Sequence, residues 1–345
     1  MRAFVVTAPG NGEVQEVDDL VPLADQLLVD VERVGICGTD VELYSGVMAY
    51  IGQGKTHFPL RPGHEWTGRV RSVGPDADGS WIGTRVTGDT MLGCGVCRFC
   101  LGGTQWVCPY RKEVGITDGW PGALAEQQLI PARFAHLIPE HVSVTSGALV
   151  EPGGNALRAA EATLAGPGSR VLVLGSGTIG LLAAQFLLAK GVDVHLAGTR
   201  AGSLQLGRDL GVSTTHDLDE IATSDERFAA VIDATSSDIS PAIAARLVDP
   251  AGRIVLIGLS GTPSLVDTRD LVLGDITTVG ILSASPGLDG AIEAFATGAV
   301  EPDSIVSEVI GLAEVASRLE GKRGVAAGPG PKVHVDPRLQ RSGKR

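Results

Sequence analysis

The pattern of hydrophobic and polar positions changes about halfway along the chain. Residues 1–150 form short apolar runs punctuated by Gly and Pro, with little helical periodicity, and this pattern predicts short strands joined by turns. From Ser169 the stretch "SRVLVLGSGTIGLLAAQFLLAKGVDVHLAG" alternates an apolar strand, a glycine turn, an apolar helix and a second strand. Short β-branched runs follow around Val231, Val255 and Val279. Such runs are typical of strands buried on both faces, so the pattern predicts an α/β protein with a doubly wound parallel sheet in its second half.

The glycine turn carries the first chemical signal. Gly175, Gly177 and Gly180 form G-x-G-x-x-G between the predicted strand and helix. That motif is weak alone but is supported by its place in a strand–helix unit of about thirty residues. The helix N-terminus offers amide donors and a partial positive charge to a pyrophosphate. We therefore predict dinucleotide binding by these glycines and by Thr178 and Ile179 between them.

The choice of dinucleotide depends on the end of the second strand. An acidic residue there would hydrogen-bond the ribose of NAD, but the chain continues through Gly198, Thr199 and Arg200. A small residue followed by Arg accommodates a 2′-phosphate and pairs with it. We predict cofactor contacts from Thr199 and Arg200 and favour NADP. NAD is the alternative, with Arg200 as a solvated loop charge.

Four of the five cysteines lie close together. Cys94, Cys97, Cys100 and Cys108 fall within one Gly-rich stretch. Four thiolates close a tetrahedral shell around zinc and leave no position for substrate, which predicts a structural site. An iron–sulfur cluster and free thiols are the alternatives, but a bacterial ferredoxin has three residues before its last Cys where this chain has seven.

The fifth cysteine, Cys37, lies outside the four-cysteine stretch. Cys37 is followed by His64 and Glu65 in "PLRPGHEWTG". A thiolate, an imidazole and a carboxylate form a common catalytic zinc set, in which one position stays open for water or substrate. The three residues alone leave the complete ligand set undecided.

Length, charge and compartment narrow the function. A chain of 345 residues predicts two domains. A net charge of −12 argues against nucleic-acid binding. No run of eighteen apolar residues occurs and the apolar stretch in "MRAFVVTAPG" is short for a signal peptide, so we expect a cytoplasmic protein without membrane contact. A reducing compartment favours metal-bound cysteines over disulfides.

Together these motifs resemble the zinc-dependent medium-chain dehydrogenase/reductases, in the branch of sorbitol, threonine and archaeal glucose dehydrogenases. The resemblance rests on "GICGTD", "PGHEWTG", the four-Cys spacing, "ALVEP", "GSGTIG" and "GPGPKVHVDP". It implies a GroES-like irregular β-barrel catalytic domain over 1–151 that includes the structural-zinc lobe. It further implies a Rossmann domain over 152–286 and a return to the catalytic domain over 287–345.

The resemblance also implies roles for single residues. Glu151 of "ALVEP" completes the catalytic zinc site, directly or through water, and shares this role with Glu65. Thr39 hydrogen-bonds the substrate alcohol and starts its proton toward solvent. Asp40 orients the ligand histidine, the alternative being a helix N-cap. Glu42 stands where many alcohol dehydrogenases have a histidine, so the proton relay ends there or passes through water.

The expected activity is reversible hydride transfer between a secondary alcohol and NAD(P), with two Zn²⁺ per chain. The segment "SGVMAYIGQGKTHFP", with Tyr44, Met48, Tyr50 and Lys55, is expected to help form a polar pocket wall. That wall favours a polyol, sugar or cyclitol, or the corresponding ketone. The resemblance implies a homodimer or homotetramer. The alternatives are an aminocyclitol dehydrogenase of an antibiotic pathway and a zinc protein that binds NADP(H) without turnover.

Overall fold

The computed structural model describes residues 1–322, 324 and 327–339. The chain divides into two compact units. The first contains Met1–Glu151, Val306–Gly328 and Lys332–Arg345, and the second contains Pro152–Ile305 and Pro329–Pro331. Among the described residues, no helix combines the length and the apolar character that a membrane span requires.

The first unit is built mainly from antiparallel strands. Its strands are β1 (Arg2–Ala8), β2 (Asn11–Glu16), β3 (Gln26–Ile36), β4 (Glu65–Val73), β5 (Arg85–Gly88), β6 (Met91–Leu92), β7 (Lys112–Glu113), β8 (Gln127–Pro131), β9 (Ala135–Leu137), β16 (Val306–Ile310) and β17 (Lys332–Val335). Its helices are α1 (Gly38–Ser45), α2 (Ala49–Gly52), α3 (Arg98–Leu101), α4 (Val144–Ala148) and α12 (Val315–Leu319), and α5 (Val150–Ala162) leads into the second unit.

The main sheet of this unit places the first and last parts of the chain side by side. Its order is β16-β17-β3-β4-β5-β9, and β8 also pairs with β3. The long strand β3 therefore has β4 on one side and the late strand β17 on the other, both antiparallel to it. The inward side chains form a core around Leu27, Trp66, Leu124 and Ile130, all fully buried. This packing brings residues near 35, 65 and 332 together.

The second unit is a parallel sheet with helices. Its strands are β10 (Arg170–Leu174), β11 (Asp193–Gly198), β12 (Thr214–Asp217), β13 (Phe228–Asp233), β14 (Val248–Leu256) and β15 (Thr277–Gly280). Its helices are α6 (Thr178–Ala189), α7 (Ala201–Asp209), α8 (Leu218–Thr223), α9 (Ser240–Leu247), α10 (Thr268–Leu273) and α11 (Leu288–Thr297). The strand order is β12-β11-β10-β13-β14-β15. The chain adds strands toward one edge from β10 to β12 and toward the other edge from β13 to β15. Doubly wound folds bind ligands at this switch point between β10 and β13.

One of the predicted buried strands is exposed. β13 and most of β14 are covered, but three of the four residues of β15 are exposed and Val279 is half-buried. In the single chain the prediction of burial on both faces was wrong for β15, because the strand lies at the sheet edge and, among the described strands, pairs with β14 alone. An apolar, β-branched run therefore did not distinguish a central strand from an edge strand.

The chain returns to the first unit later than the sequence predicted. The expected return was at residue 287, whereas the contact boundary lies between Ile305 and Val306. The reason is α11, which buries Leu288, Ala291 and Phe295. The Phe295 ring stacks on Phe186 of α6, with ring centroids 6.3 Å apart. The apolar face of α11 thus belongs to the core of the second unit.

Candidate metal and nucleotide sites

The four-cysteine lobe brings its sulfur atoms into one cluster. Cys97 Sγ lies 3.6 Å from the Sγ atoms of Cys100 and Cys108, and Cys94 Sγ lies 3.9 Å from that of Cys100. Zinc–sulfur bonds of about 2.3 Å in a tetrahedron require sulfur separations of about 3.8 Å. Backbone N–H groups of nearby residues lower the pKa of Cys94 to about 6, whereas burial raises the pKa of Cys100 to about 11, so the geometry and not the pKa values supports a metal site. The lobe therefore fits a closed zinc site.

A second donor cluster forms where β3 ends and β4 begins. Cys37 directly follows β3, and His64 and Glu65 lie at the start of β4. Because the two strands are antiparallel and Gly35 pairs with Glu65, these three side chains meet. One donor atom from each lies within 4.8 Å of the others. A thiol, an imidazole and a carboxylate match the donor chemistry of a catalytic zinc site.

Asp40 holds both loops that carry these donors. Its Oδ2 accepts a hydrogen bond of 2.8 Å from the backbone N–H of Cys37, and its Oδ1 accepts one of 3.2 Å from that of Gly63. Oδ1 also lies 3.6 Å from His64 Nδ1. Burial lowers the pKa of His64, but Asp40 and Cys37 outweigh burial and hold that pKa well above its usual value. Asp40 is therefore not the N-cap of α1, which is Cys37, but lies at the third helical position, where its carboxylate accepts from the N-cap amide and faces His64.

A lysine that the sequence analysis did not assign completes this cluster. Lys332 Nζ donates to both carboxylate oxygens of Glu65, at 2.8 and 2.7 Å, and to the carbonyl of Ile36 at 3.0 Å. Only 4% of Lys332 is exposed. Gly35 makes room for the pair, since a Cβ there would overlap the Glu65 carboxylate. The lone lysine in "GPKVHV" was the available signal, because a charge within an apolar strand needs a partner.

Glu151 lies apart from the three clustered donors. It is buried at the start of α5, and Thr90 Oγ1 donates to its Oε1 over 3.3 Å. Burial raises the pKa of Glu151 to about 7, an effect that nearby His64 opposes and Glu65 reinforces. It is not among the donors within 4.8 Å of one another. Of the two glutamates expected to share the zinc, the structure therefore brings Glu65 into contact with the cluster and leaves Glu151 beside it.

The predicted nucleotide loop adopts the expected turn. Gly175 follows β10 with φ +104°, a conformation that favours glycine. Gly177 is the N-cap of α6, and Thr178 and Ile179 begin the helix. Gly180 has no space for a side chain, because a Cβ would overlap the Gly175 carbonyl. The turn from Gly175 to Gly180 therefore leads directly into the N-terminus of α6, where backbone N–H groups can bind a phosphate.

The residues predicted to select the cofactor lie at the same edge of the sheet. β10 and β11 are adjacent and parallel, so their carboxyl ends meet there. Gly198 ends β11, and Thr199 and Arg200 follow as exposed residues. Arg200 is therefore exposed to solvent at the carboxyl end of β11.

Comparisons with known proteins identify the family of the chain. The model of the alcohol dehydrogenase GroES-like domain matches residues 23–140, and that of the zinc-binding dehydrogenases matches residues 178–297. An L-threonine 3-dehydrogenase of Saccharopolyspora erythraea is 31% identical over 81% of this chain and 83% of its own length. The chain belongs to the zinc-dependent medium-chain alcohol dehydrogenase family.

Two further similarities cover almost the whole chain. A 2-dehydro-3-deoxy-L-galactonate 5-dehydrogenase of Pseudoalteromonas atlantica is 28% identical over 91% of this chain and 93% of its own length. A crystal structure described as a zinc-binding dehydrogenase from Sinorhizobium meliloti 1021, bound to NADP, superposes with a TM-score of 0.88 at 29% identity, covering 97% of this chain and 99% of that one.

Family membership confirms the predicted fold and class of activity. The fold is a GroES-like catalytic domain with a Rossmann domain, and the protein is a zinc-dependent oxidoreductase that transfers hydride between an alcohol and NAD(P). The reading as a zinc protein without turnover is not favoured by any of these similarities.

In this dehydrogenase the predicted relay residues share one helix face. Thr39 is half-buried in the first turn of α1, and Glu42 is exposed three positions later. Side chains at this spacing are neighbours on a helix surface. The arrangement leads from half-buried Thr39 to exposed Glu42.

The predicted pocket wall is only partly arranged as expected. Tyr44 is buried, and its hydroxyl donates to the Gly10 carbonyl at 2.9 Å, so it serves the core and is not available to a wall. Its position in α1 explains this, because the apolar face of the helix points inward. Tyr50 is half-buried and meets Glu113 at 3.4 Å, and Lys55 Nζ lies 4.9 Å from the Tyr50 ring centroid.

A third donor group lies in the second unit of this dehydrogenase. His195, His216 and Glu226 have donor atoms within 4.8 Å of one another. However, Arg170 Nη2 lies 2.7 Å from Glu226 and 3.3 Å from His195. A guanidinium of the chain itself therefore already supplies the positive charge in this cluster. Burial and Arg170 lower the pKa of His195, as expected for a neutral imidazole beside a cation.

Proposed function

We propose that this dehydrogenase oxidises a secondary alcohol of a polyhydroxylated substrate, a polyol, sugar or cyclitol, with NADP, and reduces the corresponding ketone. The buried cluster of Cys37, His64 and Glu65, with Lys332 on the carboxylate, carries the proposal. One relative supports the substrate class, since its name describes a dehydrogenase of 2-dehydro-3-deoxy-L-galactonate, a hydroxylated sugar acid, and the name of another describes a dehydrogenase of L-threonine, a small secondary alcohol.

The proposal includes two zinc ions per chain. The four cysteines of the lobe would hold one, because their spacing fits a closed thiolate shell. Cys37 and His64 would hold the other, with Glu65 or Glu151 as the third protein ligand. When bound, the catalytic zinc supplies a Lewis acid for the substrate oxygen, and the nicotinamide supplies the hydride acceptor.

The chain's own residues orient these groups and carry the proton. Asp40 faces His64 and fixes its loop through the Gly63 amide. Lys332 holds Glu65 through both oxygens, so that the buried carboxylate and the buried ammonium neutralise each other. Thr39 would accept the hydroxyl proton of the substrate and pass it along α1 toward exposed Glu42 or to water.

NADP is the favoured cofactor. The end of β11 carries Gly198, Thr199 and exposed Arg200 in place of an acidic residue. A guanidinium pairs with a 2′-phosphate, whereas a carboxylate would repel it. The NADP in the Sinorhizobium meliloti structure supports the same choice.

We also propose a homodimer or homotetramer. β15 is an exposed edge strand, and unpaired edge groups favour pairing with a second copy. Nearby, Leu265 and Leu273 are 87% and 86% exposed, which is unusual for large apolar side chains at a surface without a partner. A cytoplasmic location belongs to the same proposal, because zinc-binding thiolates must stay reduced.

Initial rates of nicotinamide reduction test the proposal. Zinc-loaded protein would be assayed with polyols, aldoses, cyclitols and simple aliphatic alcohols, with NADP and NAD in parallel. We expect the highest kcat/KM with a polyhydroxylated substrate and NADP. Turnover confined to aliphatic alcohols would contradict the substrate class, and strict use of NAD would contradict the role of Arg200.

A further inference from the structure

The first unit contains a cavity outside the zinc site. Its volume is about 550 Å³, and its walls come from the β1–β2 hairpin and from the segments 56–61 and 115–121. Val5, Val17, Ile116 and Trp120 are among the apolar residues that line it. None of the proposed zinc ligands lines this cavity. It is therefore a separate place for a ligand.

Arg61 lines the cavity without a partner of opposite charge. Its Nη2 donates to Gln128 Oε1 over 3.5 Å, the limit for a hydrogen bond. Its Nε is buried and has no hydrogen-bond partner. Within the part of the chain that the structure describes, no carboxylate forms an ion pair with it, and burial lowers the pKa of Arg61 to about 10.

Arg61 is half-buried, and a cation whose Nε is withdrawn from water favours a counter-ion. Arginine does not lose its proton at neutral pH, and an uncompensated buried charge destabilises a fold. An anion bound in the cavity would remove that cost, because a carboxylate accepts two parallel hydrogen bonds from a guanidinium. We propose that the cavity binds a small monoanionic carboxylate with an apolar body, and that Arg61 is its counter-ion.

The other charges around the cavity define the ligand class. Asp118 Oδ2 lies 2.6 Å from His57 Nδ1, so this carboxylate already has a partner. Asp18 lines the cavity and is exposed. It would repel a second negative charge, which favours a monoanion over phosphate. The apolar walls favour an aliphatic or aromatic body over a polyol.

The cavity is connected to the zinc site through the backbone. Arg61 precedes His64 by three residues. The carbonyl of Arg61 accepts a hydrogen bond of 2.7 Å from the Gly122 amide, and that of Pro62 accepts one of 3.0 Å from the Leu124 amide. The segment that carries His64 is thereby tied to the segment that follows the cavity wall.

Titration of the zinc-loaded protein with benzoate and with benzamide tests the site. The two probes have the same shape and differ in charge. We expect benzoate to raise the thermal midpoint, to change tryptophan fluorescence and to bind at least about tenfold more tightly than benzamide. Trp120→Phe should reduce the fluorescence change, because Trp120 lines the cavity. Equal binding of the two probes, or no binding of benzoate, would overturn the proposal.

Variants assign the binding to Arg61. Arg61→Met should lose benzoate binding by about tenfold or more, and without benzoate its thermal midpoint should equal or exceed that of the unaltered chain. Arg71→Met is the matched control, since Arg71 is exposed and pairs with Asp30. Benzoate binding that persists in Arg61→Met, or inorganic phosphate that binds as tightly as benzoate, would contradict the site or its ligand class. If Arg61→Met does not fold, the benzoate–benzamide comparison decides.

Discussion

The two proposed zinc sites are built in different ways although they lie in the same unit. The lobe takes four equal ligands from one stretch between Cys94 and Cys108. The other cluster takes one donor from the end of β3, two from the start of β4 and a lysine from β17. The first is local and saturated with thiolates. The second depends on tertiary structure and includes a carboxylate that a lysine also binds.

Substitution of one cysteine in each site gives the largest expected contrast. Cys37→Ser should lower kcat/KM by on the order of a thousandfold, because the Lewis acid is worth several kcal/mol, and should leave the thermal midpoint nearly unchanged. Cys108→Ser, its matched control, should lower the thermal midpoint by several degrees through loss of structural zinc. Each variant should retain one zinc by elemental analysis. Equal effects of both variants on stability and rate would remove the distinction between the sites.

Loss of Lys332 should give the next largest effect, on the free energy of unfolding. Lys332→Met leaves the buried Glu65 carboxylate without its cation, which should cost about 3–5 kcal/mol in the free energy of unfolding of zinc-free protein. Denaturant unfolding would measure this cost. The double variant Lys332→Met/Glu65→Leu removes both charges and should recover most of the stability. If the single and double variants were equally unstable, the ion pair would not explain the burial of Lys332.

Substitution of Asp40 should have a smaller effect, and it should weaken zinc binding only at the site of Cys37, His64 and Glu65. Asp40→Asn keeps the shape but weakens the hold on His64, and outer partners of metal ligands are worth about 10–100-fold in affinity. Competition with a zinc chelator would show weaker retention of one zinc per chain. The ion of the lobe should be unaffected. Equal weakening of both sites would contradict a local role for Asp40.

Stepwise removal of zinc by a chelator changes no residue and should still distinguish the two proposed zinc sites. A chelator reaches an ion with an open position more readily than one closed by four thiolates. Activity should therefore disappear while one zinc per chain remains, and the thermal midpoint should fall only when the second ion leaves. Zinc content, rate and thermal midpoint followed in the same samples would measure this. Loss of both ions in one step would show that the sites are equally accessible.

Motifs made of neighbouring residues were readable from the sequence. The glycine loop from Gly175 to Gly180 and the four-cysteine lobe are each formed within one short stretch, so spacing alone predicts which atoms can meet. The fold class was predictable for the same reason, since the apolar strands and the strand–turn–helix unit are local patterns. The exposure of β15 in the single chain was not predictable from its residues, because its apolar, β-branched pattern resembles that of a central strand.

The amino-acid sequence by itself determined the class of this protein, the grouping of the four lobe cysteines and the glycine turn, because each is a local pattern. Tertiary structure decided that Lys332 binds Glu65, since these residues are 267 positions apart and meet because β17 lies next to β3. It also decided that Arg61 lies in a cavity where none of the described carboxylates pairs with it. Buried charges pair when the fold brings them close together, so their separation along the sequence says little about which of them will pair.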